Sequence, residues 1–353
     1  MVYNVIGTTS GNSMDGLDLV FAALTEVRGK WTFEIKAAER QQYTMEWEEK
    51  LAGAINLPAR DYLLLHTEFG HYIGNAIKQF IADKQLDHQV HFIASHGHTS
   101  FHMPSQKMTA QLGDGSAIAA VTGLPVISDL RAMDVALGGK GAPLLPLAEQ
   151  LLFPDYDFRL NIGGNATIAT KDLAFDICPA NYILDKLAGT LGKTYDDEGK
   201  LAAGGVTDNS LLDTLNAITF YDQPFPRTLA SKFGTGTILP LIQGYSLSTQ
   251  GKLNTYTQHI ATQIAKVVDK LKTDAPQKLL LTGGGAFNTF LVQSVREKLQ
   301  GIEIITTDTQ TLTFRNALMI ALLGVLRWRQ EPNALADITG AERDSVGGAL
   351  WTI

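Results

Sequence analysis

Apolar runs separated by short polar, glycine-containing segments follow the whole chain and predict a mixed α/β fold. Val2 to Ile6 and Leu17 to Leu24 are two apolar runs around a polar segment, which predicts a β-hairpin with a polar tip. A helix is predicted further on by apolar residues at near-helical spacing, namely Leu65, Phe69, Ile73, Ile77 and Phe80. After it, "QVHFIASHGHTS" predicts a buried strand that enters a glycine-containing loop.

The second half of the chain repeats this order of elements. "DFRLNIGGNATIAT" predicts a hairpin whose tip contains Gly163, Gly164 and Asn165, and "KLLLTGGGAFN" predicts a strand that ends at three glycines. Between them, one helix face is formed by Ile260, Ile264, Val267, Val268 and Leu271. Two such α/β halves would stack helices on sheets and would leave a ligand cleft where they face each other.

The domain boundary is predicted between Pro143 and Pro154. We therefore expect an N-terminal domain of residues 1–150 and a C-terminal domain of residues 151–353. About the last 25 residues would pack back on the first domain.

Composition narrows the class of partner. The 353 residues carry a net charge of -7 without runs of Lys or Arg, which argues against nucleic-acid and membrane-surface binding and favours a small ligand. A single cysteine, Cys178, excludes an intramolecular disulfide, and the first residues lack the features of a signal peptide. We expect a cytoplasmic protein. The apolar run from Ala317 to Leu326 is about half of the ~20 residues that a membrane span needs, so it predicts a buried helix.

The polar tip of the first hairpin is suited to phosphate binding. Glycines such as Gly7, Gly11 and Gly16 let the backbone approach a ligand, and the neighbouring Thr, Ser and Asn residues supply donors for phosphate oxygens. Asp15 and Asp18 fit this interpretation if Mg²⁺ lies between carboxylate and phosphates. The alternative is an ordinary hairpin whose Asp and Ser residues cap their own turn.

The glycines of the second half are weak signals one by one. Together, Gly163 and Gly164 at a hairpin tip and Gly283, Gly284 and Gly285 after a strand give what a nucleotide site needs. The tips would bind the phosphate chain, and the triple glycine would offer a flat surface for adenosine.

Asp176 follows an apolar run and precedes Pro179, a residue suited to the first turn of a helix. A carboxylate at that place could take a proton from an attacking oxygen. The alternative is that Asp176 only caps the helix.

Arg131 and Asp134 precede the glycine-rich segment Gly138 to Gly141. Arg131 could bind a substrate carboxylate with its fork of N–H groups, and Asp134 could bind sugar hydroxyls. The alternative is an ion pair between the two that only steadies a loop.

Three histidines, His96, His98 and His102, have a spacing that raises a metal hypothesis. Because no acidic or cysteine ligand is grouped with them, a substrate-contacting or hydrogen-bonded role is favoured.

Taken together, the motifs resemble those of the anhydro-N-acetylmuramic acid kinase family over nearly the whole chain. In order they are "TSGNSMDGLD", "SHGHT", "QLGDG", "SDLRAMDVALGGKGAPL", "LNIGGNAT", "FDICPAN", "LLLTGGGAFN" and "ITGAERDSVGGAL". The resemblance implies an actin, hexokinase and Hsp70-type (ribonuclease H-like) fold of two lobes with a nucleotide cleft between them. It also implies a cytoplasmic kinase of cell-wall recycling that adds water to 1,6-anhydro-N-acetylmuramic acid and transfers the γ-phosphate of ATP to its 6-oxygen.

The resemblance implies a role for particular residues. Asp176 would be the general base, and substrate contacts would come from His98, Arg131, Asp134 and Asn181. ATP phosphates would be bound by Gly11, Asn12, Ser13, Met14, Asp15, Gly16, Leu17 and Asp18, with Mg²⁺ held by Asp15 through water. The partner would be a small amino sugar, with no nucleic acid or membrane, and a homodimer is the default expectation.

Some positions depart from the family pattern. Ile177, Cys178 and Ala180 replace a Thr and two Gly beside the expected base, Asn12 replaces a Thr, and Asn316 replaces a Glu. The segment Pro226 to Ala230 only partly matches the family's Pro-Lys-Ser-x-Gly-x-Glu. These departures leave two alternatives open, a catalytically weak sensor that binds ATP and sugar, and a kinase for another small sugar.

Overall fold

A computed structural model describes residues 1–10, 16–229 and 232–353 of the chain. The described chain divides into two compact units, which are Met1–Pro154 with Phe314–Ile353, and Asp155–Thr313. We call them the first and the second unit. The first unit thus contains the C-terminal segment from Phe314 onward as well as the N-terminal residues.

The described residues form strands and helices in alternation along the chain. The strands are β1 Val2–Ser10, β2 Leu17–Val27, β3 Lys30–Gln41, β4 Phe92–Ser95, β5 His98–Met103, β6 Met108–Leu112, β7 Val126–Ser128, β8 Phe158–Ile162, β9 Asn165–Ala169, β10 Ala174–Pro179, β11 Gln277–Thr282, β12 Ile302–Thr306 and β13 Ala349–Trp351. The helices are α1 Met45–Gly53, α2 Ala59–Asp83, α3 Gly115–Thr122, α4 Ala132–Ala136, α5 Pro146–Leu152, α6 Asn181–Gly189, α7 Lys200–Ala203, α8 Asn209–Asn216, α9 Leu239–Gln243, α10 Thr249–Leu271, α11 Thr289–Lys298, α12 Thr309–Trp328 and α13 Ala336–Thr339.

The sheet of the first unit has the strand order β13-β7-β4-β1-β2-β3. Strands β1, β2 and β3 form an antiparallel meander, whereas β4 is parallel to β1 and β7 is parallel to β4. A separate two-stranded sheet is formed by β5 and β6. The predicted first hairpin is confirmed, since Ser10 lies opposite Leu17 in the register of β1 and β2.

The sheet of the second unit repeats this arrangement in the order β10-β9-β8-β11-β12. Its first three strands are again an antiparallel meander, and β11 and β12 run parallel to the first of them. If the strands of each sheet are counted along the chain, both sheets contain the same order of five strands, third-second-first-fourth-fifth. The first sheet has β13 as a sixth strand beside the fifth, at its edge. This duplication confirms the predicted fold class, a mixed α/β chain with two related halves of the actin, hexokinase and Hsp70 type.

The predicted core helices are confirmed in both units. In α2 the buried side chains include all five of the predicted apolar positions. In α10, Ile260, Ile264, Val267 and Val268 are buried. Burial of one such side chain contributes about 1.5–3 kcal/mol to the free energy of unfolding, so these two faces anchor the helices on their sheets.

Helix α12 contains the long apolar run and is the one described helix whose length and composition would suit a membrane span. Within the chain, 72% of its apolar window is buried. The predicted buried helix over Ala317 to Leu326 is thereby confirmed.

Two local predictions are wrong. Asp176 does not follow a strand and Pro179 does not open a helix, because β10 continues through both residues with a bulge between Asp176 and Cys178. Helix α6 begins only at Asn181. Tertiary contacts hold the strand in place, since the Asp176 N–H donates to the Arg227 carbonyl at 3.0 Å and the Tyr256 hydroxyl donates to the Pro179 carbonyl at 2.9 Å.

Candidate functional site

The tip of the first hairpin falls largely outside the described residues. Predicted phosphate contacts at Gly11, Asn12, Ser13 and Met14, and the predicted metal contact at Asp15, lie there. Gly16 is described and has φ 153°. A Cβ at this position would lie 2.6 Å from the Gln41 carbonyl oxygen, which is too close for a side chain. This crowding explains why the chain has glycine where β2 begins.

Asp18 lies on β2 opposite Arg40 of β3. Arg40 donates to both carboxylate oxygens, from Nε to Oδ1 at 2.6 Å and from Nη2 to Oδ2 at 3.0 Å. The charge of this buried carboxylate is thus already matched by a bidentate partner. Its predicted role in nucleotide binding stays a prediction.

His98 lies beside the end of β1. Its Nδ1 is 3.1 Å from the Ser10 hydroxyl, and burial lowers the pKa of His98, so the ring is neutral at pH 7. Ser10 and His98 therefore place two hydrogen-bonding groups next to the residues where the tip begins. Among the described residues no group of three His, Cys, Asp or Glu side chains is arranged to hold a metal ion.

His96 binds Arg131 directly. Arg131 Nε donates to His96 Nε2 at 2.9 Å, and His96 Nδ1 lies 3.2 Å from the Gly97 carbonyl. Burial, followed by the charge of Arg131, lowers the pKa of His96 to about 3, so His96 accepts this hydrogen bond as a neutral ring. Burial also lowers the pKa of Arg131 to about 10, which leaves the guanidinium charged at neutral pH.

Arg131 and Asp134 do not form the ion pair that was the alternative to a site. Arg131 Nη1 instead donates to the carbonyl of Gly141. Asp134 is only 1% exposed and accepts from the Gly141 N–H at 2.7 Å and from the Thr339 hydroxyl at 2.6 Å. Both residues thus hold the glycine-rich segment Gly138 to Gly141, Arg131 at a carbonyl and Asp134 at an N–H.

The glycines of the second unit meet at the carboxyl ends of β8 and β11, where Asn161 lies opposite Thr282. Gly283 has φ 84°, and a Cβ there would lie 2.6 Å from the Ile162 carbonyl. A Cβ on Gly285 would also meet Ile162. The carboxyl end of parallel strands is where α/β sheets bind ligands, so the predicted adenosine surface has a suitable setting.

Asn181 and the second hairpin tip join this glycine cluster. Asn181 Nδ2 donates to the Ile162 carbonyl at 3.3 Å, and a Cβ on Gly284 would lie 3.3 Å from the same nitrogen. The Gly163 carbonyl accepts from the N–H of Asn181, the first residue of α6, at 3.1 Å, and the Gly164 carbonyl accepts from the N–H of the N-cap residue Ala180 at 2.7 Å. The structure therefore brings Gly163, Gly164, Asn181 and the triple glycine together within the second unit.

A cavity of about 590 Å³ lies beside the segment that follows the triple glycine. Its lining includes Ala286 and Phe290, together with Glu198, Lys200 and Arg296. The cavity thus combines an apolar surface with charged groups of both signs next to the glycine cluster, and Lys200 forms an ion pair with Glu198 at 3.0 Å.

Asp176 is held at the bulge of β10 and does not cap α6, whose N-cap residue is Ala180. Its Oδ2 accepts from the Leu229 N–H at 2.9 Å, and its own N–H donates to Arg227. The carboxylate is partly exposed. Asp176 can therefore reach a ligand while two backbone bonds fix its direction.

Arg227 is the residue at this site that the sequence did not single out. It is 5% exposed, and its Nη1 donates to the carbonyls of Phe220, Tyr221 and Gln223 at 3.3, 2.9 and 3.2 Å. The one available signal is its place in the segment that partly matches the family's Pro-Lys-Ser pattern.

The family model and the curated relatives that match this chain have the same description. The sequence model of the family described as "Anhydro-N-acetylmuramic acid kinase" matches residues 3–352. A protein of that name from Shewanella sediminis (strain HAW-EB3) is 33% identical, and the alignment covers 98% of this chain and 98% of the relative. Another from Vibrio vulnificus (strain CMCP6) is 29% identical with the same coverage.

Solved structures give only a distant likeness. Component A of the (R)-2-hydroxyglutaryl-CoA dehydratase from Acidaminococcus fermentans matches with a TM-score of 0.46 and 14% identity. The match covers 91% of this chain and 96% of that chain. At that TM-score the likeness carries no argument about function.

Proposed function

We propose, from the premise that this chain belongs to the anhydro-N-acetylmuramic acid kinase family, that it phosphorylates 1,6-anhydro-N-acetylmuramic acid. Water and ATP would be the other substrates, and N-acetylmuramic acid 6-phosphate and ADP would be the products. The reaction would serve the recycling of cell-wall amino sugars in the cytoplasm.

The observation that carries this proposal is the position of the Asp176 carboxylate, which is partly exposed and fixed by a backbone hydrogen bond. Its carboxylate would take a proton from the water that bonds to the anomeric carbon, while the bond from that carbon to the bridging oxygen breaks. The released 6-oxygen would bond to the γ-phosphorus, and the bond to ADP would break. The bond from the Leu229 N–H supports this role, because it fixes the direction of a carboxylate that is partly exposed.

Arg131 would bind the carboxylate of the sugar acid. Its Nε and Nη1 each have a bond within the chain, which fix the guanidinium plane, and its other N–H donors stay available for a charge-assisted hydrogen bond. Asp134 would act on the sugar by holding the glycine-rich segment, and His98 and Asn181 would contribute polar contacts.

ATP would be bound by the predicted phosphate segment Gly11 to Asp18 and by the glycines of the second unit. Carboxylate oxygens are the ligands that Mg²⁺ prefers, and Mg²⁺ usually keeps several waters, so a single water-mediated contact from Asp15 fits it. Bound Mg²⁺ would neutralise charge on the phosphates. Asp18 is less suited to that role because Arg40 binds both of its oxygens.

The departures from the family pattern beside Asp176 are compatible with an enzyme. Ile177, Cys178 and Ala180 are each 0% exposed, so they pack in the core behind Asp176. Burial raises the pKa of the Cys178 thiol well above its usual range, which keeps it neutral. The exchanged side chains thus leave the carboxylate in place.

Mass analysis of the reaction product tests the proposal. The protein is incubated with Mg-ATP and 1,6-anhydro-N-acetylmuramic acid, and in parallel with a panel of other amino sugars. A product heavier than the sugar by one water and one phosphoryl group is expected. A product from another sugar alone would replace the substrate, and ATP binding without any product would favour the sensor.

A further inference from the structure

We propose that Arg227 is a positioning residue that holds the Asp176 carboxylate in its working direction. The inference deepens the proposed function, on which it rests for the role of Asp176. Four observations carry it, and they concern the backbone of residues 227–229, the bonds of the guanidinium, the aromatic rings around it and its charge.

The backbone of residues 227–229 forms hydrogen bonds directly with Asp176. The Arg227 carbonyl accepts from the Asp176 N–H at 3.0 Å, and the Leu229 N–H donates to Asp176 Oδ2 at 2.9 Å. One bond fixes the main chain at the bulge and the other fixes the carboxylate. The direction of the carboxylate therefore depends on where this short segment lies.

The guanidinium of Arg227 fixes that segment in turn. Its Nη1 donates to the carbonyls of Phe220, Tyr221 and Gln223, at the end of the 3₁₀ turn Thr219–Asp222. The Phe220 carbonyl also accepts from the Gln223 N–H at 3.2 Å, so the guanidinium adds a charged donor at the end of a turn that is already closed. The segment is thereby tied to the rest of the second unit.

Aromatic rings connect the guanidinium to Asp176 by a second route. The Arg227 guanidinium lies 4.9 Å from the ring centre of Phe220 and 5.2 Å from that of Phe225. Phe225 stacks on Phe175 with 4.4 Å between ring centres, and Phe175 is the neighbour of Asp176 in β10. Loss of the guanidinium would loosen both the segment and this stack.

The buried charge of Arg227 also lies close to the site. The positive charge of Arg227 and the negative charge of Asp176 act in opposite directions on the thiol of Cys178, which is 0% exposed. Both charges are thus close to one small buried side chain. An uncharged residue in place of Arg227 would remove the guanidinium donor from the carbonyls of Phe220, Tyr221 and Gln223.

The test compares Arg227→Met and Arg227→Lys with a matched control, Arg159→Met. Arg159 is also a buried arginine of the second unit, 4% exposed, and its Nη1 donates to the Tyr156 carbonyl at 3.1 Å, but it has no bond to Asp176 or to residues 227–229. For Arg227→Met, kcat should fall by roughly 10- to 100-fold, because a shift of about 1 Å in a reacting group has that effect. The KM values for sugar and ATP should stay within about twofold.

The lysine variant separates positioning from general stability. An ammonium has three donors for three carbonyls, so Arg227→Lys should recover most of kcat, whereas it lacks the planar face that lies over Phe220 and Phe225. The control Arg159→Met should lose stability with kcat per folded molecule within about twofold of the wild type. An equal loss of kcat in Arg159→Met and Arg227→Met would overturn the inference, because any buried arginine would then do the same.

Hydrogen exchange gives a readout that does not depend on turnover. In Arg227→Met, the amide of Asp176 should exchange at least about tenfold faster than in the wild type and than in Arg159→Met, since its acceptor carbonyl is no longer held. Unchanged exchange would overturn the inference even if no sugar is phosphorylated. If the wild type transfers no phosphate and the amide of Asp176 still exchanges faster in Arg227→Met, the proposed function is rejected. The inference that Arg227 holds Asp176 in place then still stands.

Discussion

Single residues define the chemistry that the two units can perform. Asp176 is a partly exposed carboxylate fixed by backbone bonds, and Arg131 is a charged guanidinium with two of its nitrogens bound within the chain. One residue can take a proton and the other can bind an acid. Asp176 does not cap a helix, and Arg131 holds the glycine-rich segment through the Gly141 carbonyl and not through an ion pair with Asp134.

Asp176→Asn removes the base but keeps the shape and the acceptor oxygen of the side chain. We expect ATP binding to stay unchanged while phosphoryl transfer falls by roughly 10²- to 10⁴-fold, the usual contribution of a general base. Calorimetry with ATP and single-turnover transfer measure the two effects. The exposed Asp172→Asn is the control, and transfer near the wild-type rate in Asp176→Asn would remove Asp176 as the base.

Arg131→Met should weaken binding of the sugar and leave binding of ATP unchanged. A hydrogen bond to a charged group is worth about 1.5–3 kcal/mol, so KM for the sugar should rise by roughly 10- to 100-fold. Steady-state kinetics with each substrate varied in turn measure this effect. Arg60→Met, at an exposed arginine of the same unit, is the control. An equal rise of KM for ATP would speak against a carboxylate contact.

At the scale of elements, the glycine cluster depends on a backbone that other residues cannot adopt. Gly283 has φ 84° and ψ 171°, and it lies against Asn161 and Ile162 at the end of β8. Gly301 has a similar φ of 79° but open space around it. Substitutions at the two positions therefore distinguish the cost of backbone strain from the cost of steric crowding.

Gly283→Ala should cost about 3 kcal/mol or more in the free energy of unfolding, because strain and a collision with the Ile162 carbonyl add together. Gly301→Ala has the strain alone and should cost about 1–2 kcal/mol. Urea titrations measure both costs. ATP binding should weaken at least about tenfold in Gly283→Ala and stay unchanged in Gly301→Ala. Equal effects of the two variants would deny the cluster a role in nucleotide binding.

Periodicity predicted the elements that are long or strongly patterned. Helices α2 and α10 and both hairpins follow from residues that are neighbours in sequence, and so does the strand that ends at the triple glycine. The course of β10 past Asp176 and Pro179 could not be predicted in this way. It depends on a hydrogen bond that the Arg227 carbonyl accepts and on one that the Tyr256 hydroxyl donates, and both residues are remote in sequence.

The candidate site was predicted in part for the same reason. Motif residues such as Arg131, Asp134 and Asp176 stand out by their neighbours in the chain. That His96, Thr339 and Arg227 are their partners could not be predicted, because a hydrogen bond between remote segments leaves no periodic signal. The buried position of Asp134 under the glycine-rich segment likewise became visible only in the structure.

At the scale of the whole molecule, buried neutral histidines make stability depend on pH. His259 is 0% exposed, its Nδ1 lies 2.8 Å from Asn216 Oδ1 and its Nε2 lies 3.1 Å from the Tyr221 hydroxyl. Burial, with a smaller effect of Lys266, lowers the pKa of His259 to about 3. His96 in the first unit has a pKa lowered to about 3 as well.

Stability should therefore fall as the pH drops below the ordinary histidine pKa of about 6.5, because the unfolded chain then binds protons that the folded chain excludes until about pH 3. Between pH 7 and pH 5 the loss due to His259 should be about 2 kcal/mol. Urea titrations followed by circular dichroism at the two pH values measure it. The difference should shrink in His259→Gln and stay in His71→Gln, at an exposed histidine. An unchanged difference in His259→Gln would contradict this origin.

The reaction itself is tested most directly by carrying it out in ¹⁸O-labelled water with 1,6-anhydro-N-acetylmuramic acid and Mg-ATP, stopped early and followed by mass analysis of the sugar phosphate. Attack of water on the anomeric carbon predicts one ¹⁸O in the sugar at C1 and none in the phosphoryl group. The slow exchange of the C1 oxygen with solvent is measured separately with unlabelled product and subtracted. Asp176→Asn should form this labelled product roughly 10²- to 10⁴-fold more slowly than the wild type. A sugar phosphate that keeps the anhydro bridge, or label in the phosphoryl group instead of the sugar, would contradict the account.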